Sequence, residues 1–439
     1  YYEPASLVDV SYFRGNKDGL RGSTTQSAPA RAGAVTLHRD EDLLQRWKEA
    51  TGGEREPLVV VSVSGGGIAA AVWTAMCLDR LVDEIPGFAG HVRVVTGASG
   101  GMIAAGYFVA SLTQPPPRPP EPISDDSLPE EGPPEVPETL LPPAARRPTV
   151  HLVGALAEDV LTPVASHIAL AGPPSLLWPG RLHIDRGRVL ESAWEHNTHG
   201  VLATPFAALA AGESEGWRPS LIVTPMMVEE GRPLMISNVD LGYLDEIELF
   251  KMFPRARKFR LSTALRMNAA FPLVTPAASL PTAPPRRVVD AGYFDNYGVS
   301  TASKWISANQ DWLVANTSAV ILLQIRAYPL TSEEKTSAAM SHIARSVQGT
   351  TSPLEGYAAA KRRAMIDRND SLVAQLQDSF QRSEKNQNFF TTVVMESTEE
   401  AALSWSISRS DRRRLEAELE SIDNLQALER MQILLGKKR

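Results

Sequence analysis

A three-layer α/β/α fold with a mainly parallel central sheet is predicted by the way strand-like and helix-like segments alternate along the chain. The near-continuous β-branched run Pro57–Val63 reads as a strand buried on both faces and Val92–Thr96 as the next strand, and each passes through a glycine-rich turn into a helix-like stretch. Further runs at Ser220–Thr224, Val320–Ile325 and 389–395 read as strands, and their alternation with helical stretches argues for a mainly parallel sheet.

The composition sets the outer limits. Of 439 residues 43% are hydrophobic, ample for a buried core, and the formal net charge of −7 argues against a general nucleic-acid binder. The one cysteine, Cys77, cannot form an internal disulfide. His196 and His199 lie close together, but no cysteine and no H-E-x-x-H pattern accompanies them, so neither metal nor cofactor is expected. No run of about 18 strongly apolar residues reads as a membrane span. The chain begins at Tyr1 rather than Met, so a leader or anchor upstream would not be visible.

Taken in order, residues 1–55 read as a lead-in, with Leu43–Ala50 a short amphipathic helix. The strand Pro57–Val63 runs into Ser64-Gly65-Gly66-Gly67, and 68–85 continue as a helix. Such a loop offers backbone N–H groups at a helix N-terminus, where negative charge is stabilised. Two chemistries use it. Gly65-x-Gly67-x-x-Ala70 satisfies a loose dinucleotide fingerprint, but the next strand ends in Thr96-Gly97 and lacks the acid that a ribose needs. The other use is an oxyanion hole. It suits the turn after the next strand, because Gly97-Ala98-Ser99-Gly100-Gly101 leads from strand into the helix-like run Met102–Leu112. A serine on such a turn, with Gly97 and Gly101 allowing close backbone approach, can lift its hydroxyl clear of the sheet. By itself this pentapeptide is equally a glycine-rich turn without chemistry.

From about 114 to 148 the pattern breaks. Thirteen of the 33 prolines fall there among acids, which reads as a disordered or polyproline-like insertion, a spacer or a Pro-x-x-Pro partner site. Residues 160–180 carry no formal charge but are broken by four prolines, so they read as core or as an apolar lid rather than a spanning helix. A helix is expected over 185–197 with Asp185 as its N-cap. A β run at Leu234–Ile236 follows Gly231-Arg232-Pro233. Lys251, Arg255, Arg257, Lys258, Arg260 and Arg266 crowd a short region, a solvated face or an attraction for an anionic surface. Leu261–Ala270 reads as a helix of small residues, and Val288-Val289-Asp290-Ala291-Gly292 places an acid at a strand end. Asp295-Asn296 reads as a local turn. Helical pattern fills 333–386, and 411–434 reads as one charged amphipathic helix.

These blocks, in this order, resemble the patatin-like phospholipases. The resemblance rests on Ser64-Gly65-Gly66-Gly67, Gly97-Ala98-Ser99-Gly100-Gly101 and Asp290-Ala291-Gly292. Thr224 with Gly231-Arg232-Pro233 and Ser237-Asn238, and Ser262-Thr263-Ala264 through Ala270-Phe271-Pro272, support it. It runs from about Pro57 to Ile325. It implies a patatin-like acyl hydrolase domain over 56–439, interrupted by the Pro-rich insertion. It also implies a lipid acyl hydrolase of phospholipase A or lysophospholipase type, with Ser99 as nucleophile, Asp290 as its base and Gly65, Gly66 and Gly67 as the oxyanion loop. Phospholipid or another lipid ester at a membrane surface is the expected partner, and the cytoplasm, peripheral to or anchored at that membrane, the expected location. A catalytically silent lipid- or partner-binding module is the alternative, and His342 is the nearest residue in the right order for a Ser…Asp…His triad. Two departures stand out: Ala69 occupies a place where the family often carries a basic residue, and the acid motif reads Asp-Ala-Gly.

Overall fold

The computed structural model describes residues 8–9, 33–53, 55–113, 152–156, 186–270, 277–327, 342–383, 389–397 and 407–436. The Pro-rich stretch at 114–148, the uncharged stretch at 160–180, Asp185, Phe271-Pro272 and residues 333–341 lie outside the described residues.

Five strands form one fully parallel sheet. They are β1 (Leu58–Val63), β2 (Val92–Gly97), β3 (Ser220–Val223), β4 (Val320–Arg326) and β5 (Phe390–Glu396), in the order β5-β4-β1-β2-β3. The first four are buried along their whole length and are mostly apolar, as strands covered on both faces are, with Arg93 of β2 buried and bonded to Arg218 O and Ser220 Oγ. Alternate side chains serve different cores. Val59, Val61, Val63, Val95, Leu221, Ile321 and Leu323 join the core on one face; Leu58, Val60, Val94, Ile222, Val320 and Leu322 join the core on the other.

Helices cover both faces. On the first lie α2 (Gly67–Glu84), α3 (Ser99–Ser111), α5 (Leu261–Asn268) and α9 (Ile422–Gly436); on the second lie α1 (Asp40–Ala50), α6 (Val299–Ala308) and the C-terminal part of α7 (His342–Ser383), through Leu376 and Phe380. Helix α4 (Arg186–Asn197) adds Leu190 and Trp194 to the first core. The protein is therefore a three-layer α/β/α structure. Strand order reverses between β1 and β4, and in such sheets the crevice at the carboxyl ends beside the reversal is where ligands bind.

Several elements differ from the sequence expectation. Helix α1, placed in the lead-in, belongs to the core: Leu43, Leu44 and Trp47 are buried, Trp47 Nε1 donates to Gly90 O at 2.8 Å, and Asp40 accepts from Trp305 Nε1 at 2.9 Å. The terminal helix is two helices, α8 (Arg409–Leu419) and α9, because buried Asn424 donates to Glu418 O and Glu396 O, each at 2.9 Å, and so fixes a corner at Ser421. The basic run is a solvated face except at buried Arg266, and three of its cations are paired: Lys251 with Asp240 and Glu248, Arg260 with Glu195, and Arg266 with Glu191; Arg255, Arg257 and Lys258 are exposed as well.

A second sheet stands beside the first. Its strands run Ile247–Glu248, Arg232–Met235, Met226–Met227, Arg286–Val289 and Ala278–Leu280, antiparallel except for the first pair. The two sheets meet at an antiparallel bridge between Val223 and Ile236. Arg286–Val289 delivers Asp290 at its end, so the acid comes from the antiparallel sheet and Ser99 from the parallel one. Among the described residues, no helix is long and apolar enough to cross a membrane.

Candidate active site

The carboxyl ends of β1 and β2 build the centre. After β1 the chain turns through Ser64, Gly65 and Gly66 into α2. Gly66 has φ 145° and Gly67 φ 62°, both in the region where a Cβ is strained. Ser64 locks the loop to β4: its N–H donates to Ile325 O at 2.9 Å and its Oγ accepts from Ala327 N at 2.8 Å. After β2, Ala98 is extended and Ser99 takes φ 49° as the first residue of α3. The expected helix start at Met102 thus lies three residues late. A non-glycine residue in the left-handed region costs roughly 1–2 kcal/mol, and such strain collects at functional sites.

Glycines close this turn onto its neighbour. A Cβ on Gly97 would stand 2.4 Å from Val63 O, on Gly101 2.2 Å from Ser64 O, and on Gly100 1.7 Å from Gly67 O. Each obstacle is backbone, which has no rotamer to move. Sequence reading assigned no role to Gly100, though it makes the tightest of these contacts. Gly100→Ala is expected to lower stability by about 2–3 kcal/mol or more in denaturant unfolding. Gly90→Ala, whose Cβ meets nothing within 4 Å, should be close to neutral.

Asp290 is 3% exposed and Ser99 6%. Asp290 N donates to Ala270 O at 3.2 Å and its Oδ1 accepts from Gly292 N at 2.7 Å. Burial raises its pKa from 3.8 to about 6, while bonding from the Gly292 N–H and the Ser99 hydroxyl pulls the other way. Oδ2 is buried without a partner at hydrogen-bond distance. The Ser99 hydroxyl is therefore near enough to favour the carboxylate but has not closed a bond onto that oxygen. Ser99 and Asp290, 191 positions apart in sequence, are brought together.

The three loop glycines are not equivalent. Gly65 N donates to Asn296 O at 2.8 Å, and a Cβ on Gly65 would lie 2.3 Å from Asn296 Oδ1 and 3.0 Å from Ser99 Cβ. Asn296 thus stands between the loop and the Asp290 turn, where Gly292 also faces its Oδ1. Asp295, expected as a local turn former, is buried and accepts from Tyr297 N, Ser300 N and Asn369 Nδ2, so it starts α6 and ties it to α7. Asn268 was also missed. Among the described histidines, His38, His91, His196 and His199, none is bonded to Ser99 or Asp290; His91 Nδ1 bonds Pro57 O at 2.9 Å. The side chain of His342 lies outside the described residues. Among the described residues, no group of three or more His, Cys, Asp or Glu is placed to hold a metal ion.

No family model matches the chain, and no curated protein matches it. Among solved structures, VipD from Legionella pneumophila overlaps at 12% identity with a TM-score of 0.33, over 94% of this chain and 72% of VipD. Human GIVD cytosolic phospholipase A2 overlaps at 12% identity with a TM-score of 0.36, over 67% of this chain and 51% of the human protein. The same human protein in complex with methyl gamma-linolenyl fluorophosphonate gives 14% identity, a TM-score of 0.30, and 67% and 47% coverage. The chain thus spans about half the length of the human phospholipase. Overlaps this loose set no family, and the chemistry rests on the site's own geometry.

Proposed function

We propose that the chain is a serine acyl hydrolase of patatin-like type, cleaving the carboxylic ester of a phospholipid or related lipid through Ser99 and Asp290. One observation carries this reading: a serine held in a strained strand-to-helix turn lies beside a buried carboxyl whose Oδ2 has no partner at hydrogen-bond distance. Serine Oγ is a weak nucleophile until a base takes its proton. A carboxylate with a raised pKa is a better base than an exposed one.

The steps follow from these positions. Asp290 takes the Ser99 hydroxyl proton as Oγ bonds to the ester carbonyl carbon. The carbonyl oxygen becomes an oxyanion at the N-terminal turn of α2, led by Gly67, with Gly66 shaping the turn. Gly65, whose N–H is committed to Asn296 O, shapes the loop rather than donating. The C–O bond to the leaving alcohol breaks, and Asp290 returns the proton to that alcohol. Water, deprotonated by Asp290, then attacks the acyl carbon; the bond from Ser99 Oγ to that carbon breaks, Oγ takes the proton back from Asp290, and the fatty acid leaves. No metal or cofactor enters this scheme. The lipid class and the membrane surface come from the sequence resemblance.

The deciding experiment incubates phospholipid vesicles with wild type and Ser99→Ala and measures fatty acid and lysolipid by mass spectrometry. Release by wild type alone supports the reading. No release across a panel of lipid esters sinks it, and vesicle binding without release would favour a silent binding module. The rate should also depend on pH in one direction. Asp290 must be ionised to act, so kcat/KM, which reports the free enzyme, should fall as pH drops through about 6, following a single protonation.

A further inference from the structure

We infer that Asn268 is a positioning residue for this reaction, which sets the nucleophile turn against its base; the inference rests on the Ser99–Asp290 reading above. Asn268 is fully buried at the last position of α5. Its Oδ1 accepts from Thr224 N at 3.1 Å, and its Nδ2 donates to Gly97 O at 3.2 Å. Gly97 ends β2 opposite Val223, which ends β3. The carboxamide thus stands between two strand ends like an inserted peptide unit, taking an N–H from one and giving one to the other. Gly97 is two residues before Ser99. Two residues past Asn268, Ala270 O accepts from Asp290 N at 3.2 Å. One short segment therefore grips the entrance to both reacting residues.

Helix α5 is fixed firmly enough to act as that template. Its Leu265 lies against Gly106 of α3, where an added Cβ would stand 2.8 Å from Leu265 Cδ2. Arg266 Nε bonds Glu191 Oε1 at 2.5 Å, and Ser262 Oγ bonds Glu195 Oε1 at 2.6 Å, so α4 holds α5 from outside. From the neighbouring strand β1, Val63 O accepts from Ala98 N at 3.1 Å. A serine at φ 49° persists only where its surroundings over-determine it, and Asn268 supplies one of those constraints on the entry side of the turn. The site needs a donor and an acceptor on one short side chain. Asparagine has both, and an ionised aspartate has only acceptors.

The test is the rate at which a fluorophosphonate labels Ser99, with kcat and KM on a vesicle substrate, in wild type, Asn268→Asp and Asn268→Ser. A protonated aspartate in this place would reproduce both hydrogen bonds; an ionised one would repel Gly97 O. Wild-type labelling should rise with pH between about 5 and about 9, whereas Asn268→Asp should rise and then fall in a bell. On the alkaline side kcat should drop roughly 100-fold with KM little changed, because misplacement by about 1 Å costs that much in rate. Asn268→Ser, whose single hydroxyl can donate and accept, should recover part of the rate. An Asn268→Asp profile parallel to wild type, or an Asn268→Ser rate equal to wild type, overturns the inference. Should Asn268→Asp not fold, the serine variant decides alone. If wild type itself is unlabelled, the Ser99 assignment has failed instead.

Discussion

Ser99→Ala is expected to lose roughly 10^4-fold or more in ester turnover, and all labelling by a fluorophosphonate, while remaining folded. The size of the loss follows from what the hydroxyl does. Without Oγ no acyl-enzyme forms, and Asp290 has no nucleophile to deprotonate; only the oxyanion site and substrate binding remain, and these give a small residual rate. The structure adds a second expectation that separates function from stability. Position 99 sits at φ 49°, which alanine finds no easier than serine. Glycine relieves that strain by roughly 1–2 kcal/mol and gives back about 0.5–1 kcal/mol in unfolded-chain entropy. Ser99→Gly should therefore be as inactive as Ser99→Ala and more stable than it by up to about 1.5 kcal/mol in urea. An alanine variant that still labels would remove Ser99 from the chemistry. A glycine variant less stable than the alanine one would remove strain from the account of the turn.

Much of this arrangement was legible in the chain. Strands β1, β2 and β4 are runs such as Val59-Val60-Val61 and Ile321-Leu322-Leu323, and two buried faces demand that continuity. Glycines at 97 and 101 were readable as a tight turn because a turn of this kind has no room for Cβ atoms. What escaped notice was set by contacts distant in sequence. Asn268 looked like one polar residue near the end of a small-residue helix; its meaning appears only when Thr224 and Gly97 are placed on either side. Gly65 looked equivalent to Gly66 and Gly67 until Asn296, 231 positions later, took its N–H. Periodicity could not tell that the cations at 251, 260 and 266 meet acids at 240, 248, 195 and 191. Helix α1 was undervalued because a short amphipathic segment after a polar stretch shows no partner, whereas Trp47 is 1% exposed.

Asp290→Asn is expected to cost roughly 10^3- to 10^4-fold in turnover and, at alkaline pH, to make the protein more stable. The loss arises because the amide cannot accept the Ser99 proton. The gain arises from linkage. Burial lifts the folded-state pKa from 3.8 to about 6, so ionising this carboxyl is harder in the folded than in the unfolded chain. A carboxyl shifted in this direction weakens the fold when ionised. The penalty is complete above about pH 6, shrinks as pH falls, and is absent below about 3.8. At about 1.4 kcal/mol per unit, a shift of this size corresponds to about 3 kcal/mol. Asparagine is neutral throughout, keeps an oxygen for the Gly292 N–H, and turns its amide toward the Ser99 hydroxyl, which can accept. Part of the gain is lost in aligning that new bond, so about 1–3 kcal/mol is expected at pH 8 and almost none at pH 4. Urea unfolding of wild type and Asp290→Asn at the two pH values measures this directly. Equal stability at both would mean that the carboxyl is not held in a desolvated state, and the case for it as a base would weaken with it. His342→Ala completes the set: a dyad predicts turnover within about twofold of wild type, and a loss comparable to that of Asp290→Asn would point to a triad.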